Sequence, residues 1–290
     1  MKPASFEYHR VGTVKEAVER LGELGEDAKV LAGGQSLVPM MNFRLARPPA
    51  LVDITRVEEL KYLTRDGDAL RIGALTSHAE VEGMTAPELL DGFSVLKDAA
   101  RWVGHFPIRT RGTFGGSVAH ADPAAEWCML AVLLDAEILA RGPDGERTIT
   151  APEFLLGFLT NALEPGELLV EVRFPRPAPR AALQEFARRR GDFAIVAAAV
   201  ALDVEGETCR SARIVIGGVD DVPVRVSEAE EALAGNALEG GAFEEAGQAA
   251  ARAVDPASDI HGSADYRRHL TAVLVTRALV EAAGPGNGVA

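Results

Sequence analysis

Two glycine pairs constrain this chain more than any other feature of its sequence. One lies in Ala32-Gly33-Gly34-Gln35-Ser36 and the other in Thr113-Phe114-Gly115-Gly116-Ser117. Each puts two residues without a Cβ where an apolar run ends, and each is followed by a small hydroxyl residue. Backbone N–H groups in such turns are free to converge on a bulky anionic group. A single Gly-Gly is common in ordinary strand-to-helix turns, whereas two turns built on one recipe point to a phosphate site. Neither has the form Gly-x-Gly-x-x-Gly, and Gly-x-x-x-x-Gly-Lys-[Ser/Thr] is absent, which disfavours Rossmann and P-loop mechanisms.

The rest of the composition narrows the partners. With 290 residues, 47% of them hydrophobic, the chain is long enough for two or three domains with a substantial core. A formal charge of -13 leaves no general basic field, which argues against nucleic acid or an anionic membrane surface. The segment from Met1 to His9 lacks the apolar core of a signal peptide, and the longest apolar run, Phe193 to Leu202, is too short to span a bilayer. A cytoplasmic protein is expected. Cys128 and Cys209 stand far apart without a Cys-x-x-Cys pair, so no four-cysteine zinc or iron–sulfur site comes from this chain alone. Both read as buried, reduced thiols.

Along the chain, Thr13-Val14-Lys15-Glu16 has capping-box form, and Val14, Ala17, Val18, Leu21 and Leu24 recur at helical spacing until Gly25. Ala28 to Ala32 reads as a buried strand whose carboxyl end runs into the first glycine turn. A short helix over 37–45 is stopped by Arg47-Pro48-Pro49, and Leu51 to Ile54 is the next strand. Residues 1–57 are therefore expected to form a small α/β lobe. Residues 58–176 read as a larger α+β lobe. It holds a strand at 69–75, a helix opened by the capping box Ser77-His78-Ala79-Glu80, helices over 94–103 and 123–134, a hairpin of 136–141 with 147–150, and a strand at 168–174. Pro175-Arg176-Pro177-Ala178-Pro179 breaks the pattern, because alternate prolines favour an extended connection. Residues 177–285 then show strands at 182–187, 194–203 and 209–217 ahead of helices at 227–234, 240–253 and 263–283, an α+β domain with helices on one face. The tail from Gly284 is expected to be disordered.

Few residues outside the turns carry chemistry. In His120-Ala121-Asp122-Pro123-Ala124-Ala125-Glu126, Asp122 and Glu126 stand four apart just beyond the second turn. They read either as acceptors for ribityl or ribose hydroxyls or, for Asp122, as a helix N-cap, with Pro123 in the first helical turn. His120 has no partner at metal-site spacing and reads as a loop histidine. Arg109 and Arg111 either compensate phosphate charge or are solvated. Arg188-Arg189-Arg190, ahead of Gly191-Asp192-Phe193, is a docking surface, a lid over a cofactor or a solvated strand edge. No Gly-x-Ser-x-Gly element or Cys/His pair marks a nucleophile.

Taken together, Ala-Gly-Gly-Gln-Ser-Leu-Val-Pro at 32–39, Leu-Val-Asp-Ile at 51–54, Ile-Arg-Thr-Arg-Gly-Thr-Phe-Gly-Gly-Ser at 108–117, Ala-Asp-Pro-Ala-Ala-Glu at 121–126 and Gly-Asp-Phe-Ala at 191–194 resemble one family. The chain is similar, over essentially its whole length, to the FAD-binding medium subunit of molybdenum hydroxylases of the carbon monoxide dehydrogenase and xanthine dehydrogenase type. The resemblance implies an α+β fold: a two-lobed FAD-binding domain of the vanillyl-alcohol-oxidase type, and a C-terminal domain of three antiparallel strands with helices. It further implies that Ala32, Gly33, Gly34, Gln35, Ser36 and Leu37, with Thr113, Gly115, Gly116 and Ser117, line the FAD pyrophosphate and its surroundings. Asp122 and Glu126 become candidates for sugar hydroxyls, and Phe193 and Ile195 for the neighbourhood of the isoalloxazine.

The same resemblance implies an electron-transfer subunit in a dimer of heterotrimers. There a large molybdopterin subunit oxidises substrate, a small subunit with two [2Fe-2S] clusters conducts, and FAD passes electrons to NAD+, a quinone or oxygen. No catalytic residue and no metal ligand is then needed in this chain, since the cofactor carries the chemistry. Two departures stand out: Thr110 where Asn is common, and Phe114 where Ile is usual. Two rivals remain at this point. A self-contained FAD-dependent oxidoreductase would reduce its flavin with a small substrate and no partner, and a non-catalytic nucleotide-binding scaffold would purify colourless.

Overall fold

The computed structural model describes residues 2–284, so the expected disorder of the tail falls, from residue 285 on, outside the described residues. The chain opens with β1 (Glu7–Arg10), α1 (Val14–Leu24), β2 (Lys29–Leu31), α2 (Leu37–Asn42) and β3 (Ala50–Asp53). The three strands form a parallel sheet in the order β1-β3-β2, with β3 buried along its length. Helix α1 covers it with Val14, Ala17, Val18 and Leu21, at the spacing the sequence shows. Thr13 caps this helix by accepting from Glu16 N, while the Glu16 carboxylate accepts from Gly12 N at 2.7 Å, so the box closes one residue early. Strand β1 escapes a reading from sequence because it is an edge strand of Glu7-Tyr8-His9-Arg10, largely exposed and without apolar alternation. Helix α2 ends at Asn42, short of the expected 45.

The second unit contains β4 (Leu63–Asp66), β5 (Ala69–Gly73), α3 (His78–Glu82), α4 (Pro87–Leu90), α5 (Ser94–Ala100), α6 (Phe106–Arg109), α7 (Phe114–His120) and α8 (Glu126–Leu133). It continues with β6 (Glu137–Gly142), β7 (Gly145–Thr150), α9 (Ala151–Phe154), β8 (Leu155–Gly157), β9 (Thr160–Asn161) and β10 (Leu168–Phe174). Its antiparallel sheet runs β4-β5-β10-β6-β7. Strand β10 is the hinge pin of the layout: Leu168 and Val170 join the core under the first sheet, while Val172 and Phe174 enter the larger core. Glu171, buried between them, is held by Arg71 Nη2 at 2.7 Å and by the Tyr62 hydroxyl. Helix α8 is apolar all round, and every residue from Trp127 to Leu133 is buried.

That helix starts later than the sequence pattern predicts. The expected helix over 123–134 begins only at Glu126, with Ala125 as N-cap. Ala121, at φ +54°, ends α7 in the left-handed region, and the chain needs a tight turn to re-aim. Asp122 serves that turn and is not a helix N-cap: its Oδ1 accepts from Ala124 N at 2.9 Å, and its carbonyl accepts from Ala125 N at 3.0 Å.

The third unit holds β11 (Ala181–Phe186), β12 (Val196–Glu205), β13 (Thr208–Gly217), β14 (Val224–Arg225), α10 (Ser227–Leu233), α11 (Gly240–Ala253) and α12 (Ala264–Ala283). The sheet is antiparallel in the order β11-β12-β13-β14. Three strands are expected from the sequence; the fourth is a two-residue strand pairing with Val215 and Ile216, too short to leave a pattern. Both faces of the sheet are buried. Leu183, Ala197, Ala199, Ala201 and Val215 pack into the core of the second unit, and Ala198, Val200, Ile214 and Ile216 pack under the helices. No helix among the described residues is long and apolar enough to cross a membrane.

Phe174 stands edge-on to Phe114, the first residue of α7, with ring centroids 6.0 Å apart, and also meets Phe93 at 6.4 Å. The sheet core thereby supports the helix that carries the second glycine turn. Phe174→Ala is expected to lower the unfolding free energy by about 3–5 kcal/mol, read from the urea midpoint. Leu156→Ala, at an exposed position on β8, is expected to stay within about 0.5 kcal/mol of the parent.

Candidate functional site

The first glycine turn bridges β2 and α2. Gly34 has φ +70°, the left-handed geometry that favours glycine. The N–H groups of Gly33, Gly34, Gln35, Ser36 and Leu37 find no acceptor among the described residues. Five successive donors at a partly exposed turn are a standing demand for an anion. The Gln35 amide folds back to donate to Gly33 O at 2.9 Å and stiffens the turn from inside.

The second turn is built differently. Phe114 N donates to Thr76 O at 2.8 Å, Gly115 N to Ala74 O at 3.1 Å, and Gly116 N to the Thr113 hydroxyl at 3.1 Å. Its donors are spent, and its glycines serve close approach. A Cβ on Gly115 would lie 2.6 Å from Ala74 Cα, and one on Gly112 would lie 2.7 Å from His78 Nε2. Most telling, a Cβ on Gly33 would collide with the Arg111 carbonyl and come within 2.7 Å of Gly112 Cα. The two turns, remote in sequence, are pressed backbone to backbone into one cradle.

The walls of the cradle are electrostatically quiet. His78 is buried, and its Nδ1 accepts from Trp127 Nε1 at 2.9 Å, which leaves the proton on Nε2. Burial, with the Arg109 charge nearby, pushes its pKa down to about 4, so the ring is neutral beside Gly112. Arg109 donates to the Glu82 carboxylate at 2.8 Å and to Gly104 O at 2.9 Å, which makes it a structural strut. Arg111 is exposed and has no ion-pair partner among the described residues, and so stays open to an incoming anion.

Beyond α7, which at 1.5 Å per residue spans about 10 Å, lies a cavity of about 960 Å³ between the second and third units. It gathers Asp122, Phe193 and Ile195 with the Gly218 turn and the 255–261 loop. Phe193 is 66% exposed, whereas Ile195 is buried and its carbonyl is held by the buried Arg267 Nη1, which also donates to Gly218 O at 2.8 Å. Two further residues belong here that sequence patterns do not reveal. Arg267 hides within a helical repeat, and Phe158 sits at the tip of the β8–β9 hairpin. That hairpin is tied to α7 by Asn161 Nδ2 on Ala119 O at 2.6 Å and Leu159 N on Ala121 O at 3.2 Å.

Glu126 lies at the start of α8, off the cavity wall. Burial, with the Glu185 charge adding to it, pushes its pKa up to about 8, and burial alone pushes Glu185 up to about 7. Glu185 shares a strand face with Leu183 and so looks into the second unit. The pair therefore straddles the junction of the units and holds protons near neutrality. No group of three His, Cys, Asp or Glu side chains placed to hold a metal ion occurs among the described residues. A cradle closed to any Cβ, five free donors and an adjoining cavity fit an extended dinucleotide such as FAD.

The chain matches known proteins over nearly its whole length. Residues 4–177 match the family described as FAD binding domain in molybdopterin dehydrogenase, and residues 181–282 match the CO dehydrogenase flavoprotein C-terminal domain. The chain is 42% identical to the alpha subunit of the 6-hydroxypseudooxynicotine dehydrogenase complex of Paenarthrobacter nicotinovorans, covering 97% of this chain and 96% of that protein. It is 37% identical to the carbon monoxide dehydrogenase medium chain of Hydrogenophaga pseudoflava, covering 96% and 97%. It superposes on a chain of quinoline 2-oxidoreductase from Pseudomonas putida 86 with a TM-score of 0.93 at 36% identity, covering 98% of each.

Gly33→Val tests the cradle: far-UV circular dichroism should be preserved while FAD retention, followed by flavin absorbance after gel filtration, falls at least about tenfold, the equivalent of about 1.4 kcal/mol. The carboxylate pair gives a pH signature. Glu185 binds its proton more tightly folded, at about 7, than at the ordinary 4.5, so its contribution to stability is lost as pH rises through that window. Glu185→Gln is therefore expected to match the parent near pH 4.5 and to exceed it by about 2 kcal/mol above pH 7.5, measured by urea unfolding of the FAD-free protein.

Proposed function

The chain belongs to the family of FAD-binding medium subunits of molybdopterin dehydrogenases, and from that premise we propose that it is the electron-transfer flavoprotein of a heterotrimeric molybdenum hydroxylase. It is an FAD-dependent oxidoreductase subunit. Bound FAD supplies the redox chemistry, taking up electrons and releasing them to a second partner. Everything else falls to the chain's own residues, which bind, orient and exclude water. In this reading the limits 1–57, 58–176 and 177–285 divide two FAD-binding lobes of the vanillyl-alcohol-oxidase type from the C-terminal domain.

The observation that carries the proposal is the run of free N–H groups from Gly33 to Leu37, closed against Gly112. It would hold the pyrophosphate, with Ala32 and Thr113 to Ser117 completing the wall and Arg111 adding charge. Asp122 keeps free acceptor capacity for sugar hydroxyls. Glu126, held protonated, would donate to a hydroxyl rather than accept. Phe193 and Ile195 would face the isoalloxazine, with Arg267 fixing the Ile195 backbone. No side chain is assigned acid–base or nucleophilic work. Electrons would arrive from a small [2Fe-2S] subunit, itself fed by a large molybdopterin subunit, in a dimer of heterotrimers in the cytoplasm, and leave to NAD+, a quinone or oxygen.

The visible spectrum tests this reading. Purified protein is expected to show flavin absorbance, and the bound flavin should bleach with the organic substrate only when the iron–sulfur and molybdopterin subunits are present. Bleaching by a small substrate with the chain alone would favour a self-contained oxidoreductase, and a colourless protein unable to take up added FAD would overturn the assignment.

A further inference from the structure

Strand β11 is the edge of the third sheet: it pairs with β12 on one side and with no strand among the described residues on the other. The bond from Leu202 N to Arg180 O sets the alternation of the antiparallel ladder, so Ala182, Gln184 and Phe186 are the residues that bond to β12. The N–H and C=O groups of Leu183 and Glu185 therefore point away from β12, and they find no hydrogen-bond partner among the described residues. An open strand edge is a template for one more strand.

This edge opens into a groove of about 520 Å³ between the second and third units. Residues 183–187 line it, with Arg101 and Trp102 just past α5 and with Arg189 and Arg190; among the described residues it shares only Arg189 with the cavity at Phe193. In a chain of charge -13 the open charges here are positive. Asp98 answers Arg101 at 3.4 Å, and the Glu281 carboxylate accepts from the Gln184 amide. Arg189 and Arg190 are exposed and have no ion-pair partner among the described residues. The Arg190 guanidinium stands 6.0 Å from the centroid of the Trp102 ring, and Phe186, 38% exposed, adds a second aromatic surface. Burial favours the neutral acid form of Glu185, so its carboxyl does not cancel the arginines below about pH 7.

From these observations we propose that the β11 edge is a docking site for an extended acidic segment of a partner protein, which adds to the sheet as a fifth strand. The backbone groups of Leu183 and Glu185 supply the ladder bonds, Arg189 and Arg190 receive the carboxylates, and apolar side chains at alternate positions lie on Trp102 and Phe186. Arginines that only blunt an edge turn other strands away. Here they stand beside two aromatic side chains, which give an incoming strand contact area as well as charge. The inference goes beyond the flavoprotein reading and does not rest on it.

The test uses the full chain at about pH 6, where Glu185 is protonated, and at low ionic strength. Three fluorescein-labelled heptapeptides serve as probes: Glu alternating with Val, Lys alternating with Val, and the Glu–Val peptide N-methylated at every residue. By fluorescence anisotropy the Glu–Val peptide is expected to bind with a Kd below about 1 mM, and the other two at least about tenfold more weakly. Binding should weaken with added salt, and hydrogen exchange over residues 181–187 should slow at least about fivefold. The Arg101→Gln/Arg190→Gln double variant is expected to lose at least about threefold in affinity with its far-UV circular dichroism unchanged. Several results overturn the proposal: no binding of the Glu–Val peptide up to about 1 mM, a Lys–Val or N-methylated peptide that binds as well, or unchanged exchange over 181–187 at saturation. FAD uptake is read separately from flavin absorbance, so this inference and the flavoprotein reading can each fail without the other.

Discussion

The structure turns on a contact between two stretches of backbone. Gly33 meets the peptide between Arg111 and Gly112 so closely that no Cβ fits between them. This contact makes one site of two loops that belong to different sheets. Its consequences run outward in both directions. On one side it fixes the trajectory from β2 into α2 and so aims the free N–H groups from Gly33 to Leu37. On the other it locks the start of α7, which is backed by Phe114 on Trp127 and Phe174. An anion bound to those donors is therefore supported by the core of the second unit as well as by the first.

The same arrangement explains a contrast between the two turns. Free donors are costly in a buried position and tolerable at a half-exposed one. The first turn is half-exposed and leaves its donors free; Thr113 to Gly115 of the second turn are buried, and every N–H of Phe114, Gly115 and Gly116 is satisfied. One turn leaves its donors open and the other is its buttress. His78 belongs to the buttress: a charged imidazole at that depth would disrupt the packing of Gly112, and burial keeps it neutral.

Much of this was legible in the sequence. The glycine pairs, the α1 stripe, the Ser77 capping box and the apolar run of β12 are local patterns, and local physics decides them. What escaped was set by tertiary context. Strand β1 is polar because it lies at an edge, and β14 is too short to show a period. The delayed start of α8 follows from a left-handed Ala121, which no helix-forming pattern announces. The meeting of Gly33 with Gly112, the joining of Phe158 to Phe193 and the burial of Arg267 are distances between remote segments, and composition carries no trace of them.

The charges complete the picture. In a subunit whose cofactor does the redox work, the protein is left with three tasks: holding the ring, setting its surroundings and selecting what reaches it. Charged side chains at the ring itself would bind protons as the flavin changes charge, and the residues nearest the proposed ring position, Phe193 and Ile195, are apolar. Asp192, Asp220 and Asp221 also line the cavity and are exposed, so solvent softens their mutual repulsion. Asp259 with Arg267 and Asp255 with Arg268 are paired, so neither of those carboxylates meets the cavity as a lone charge.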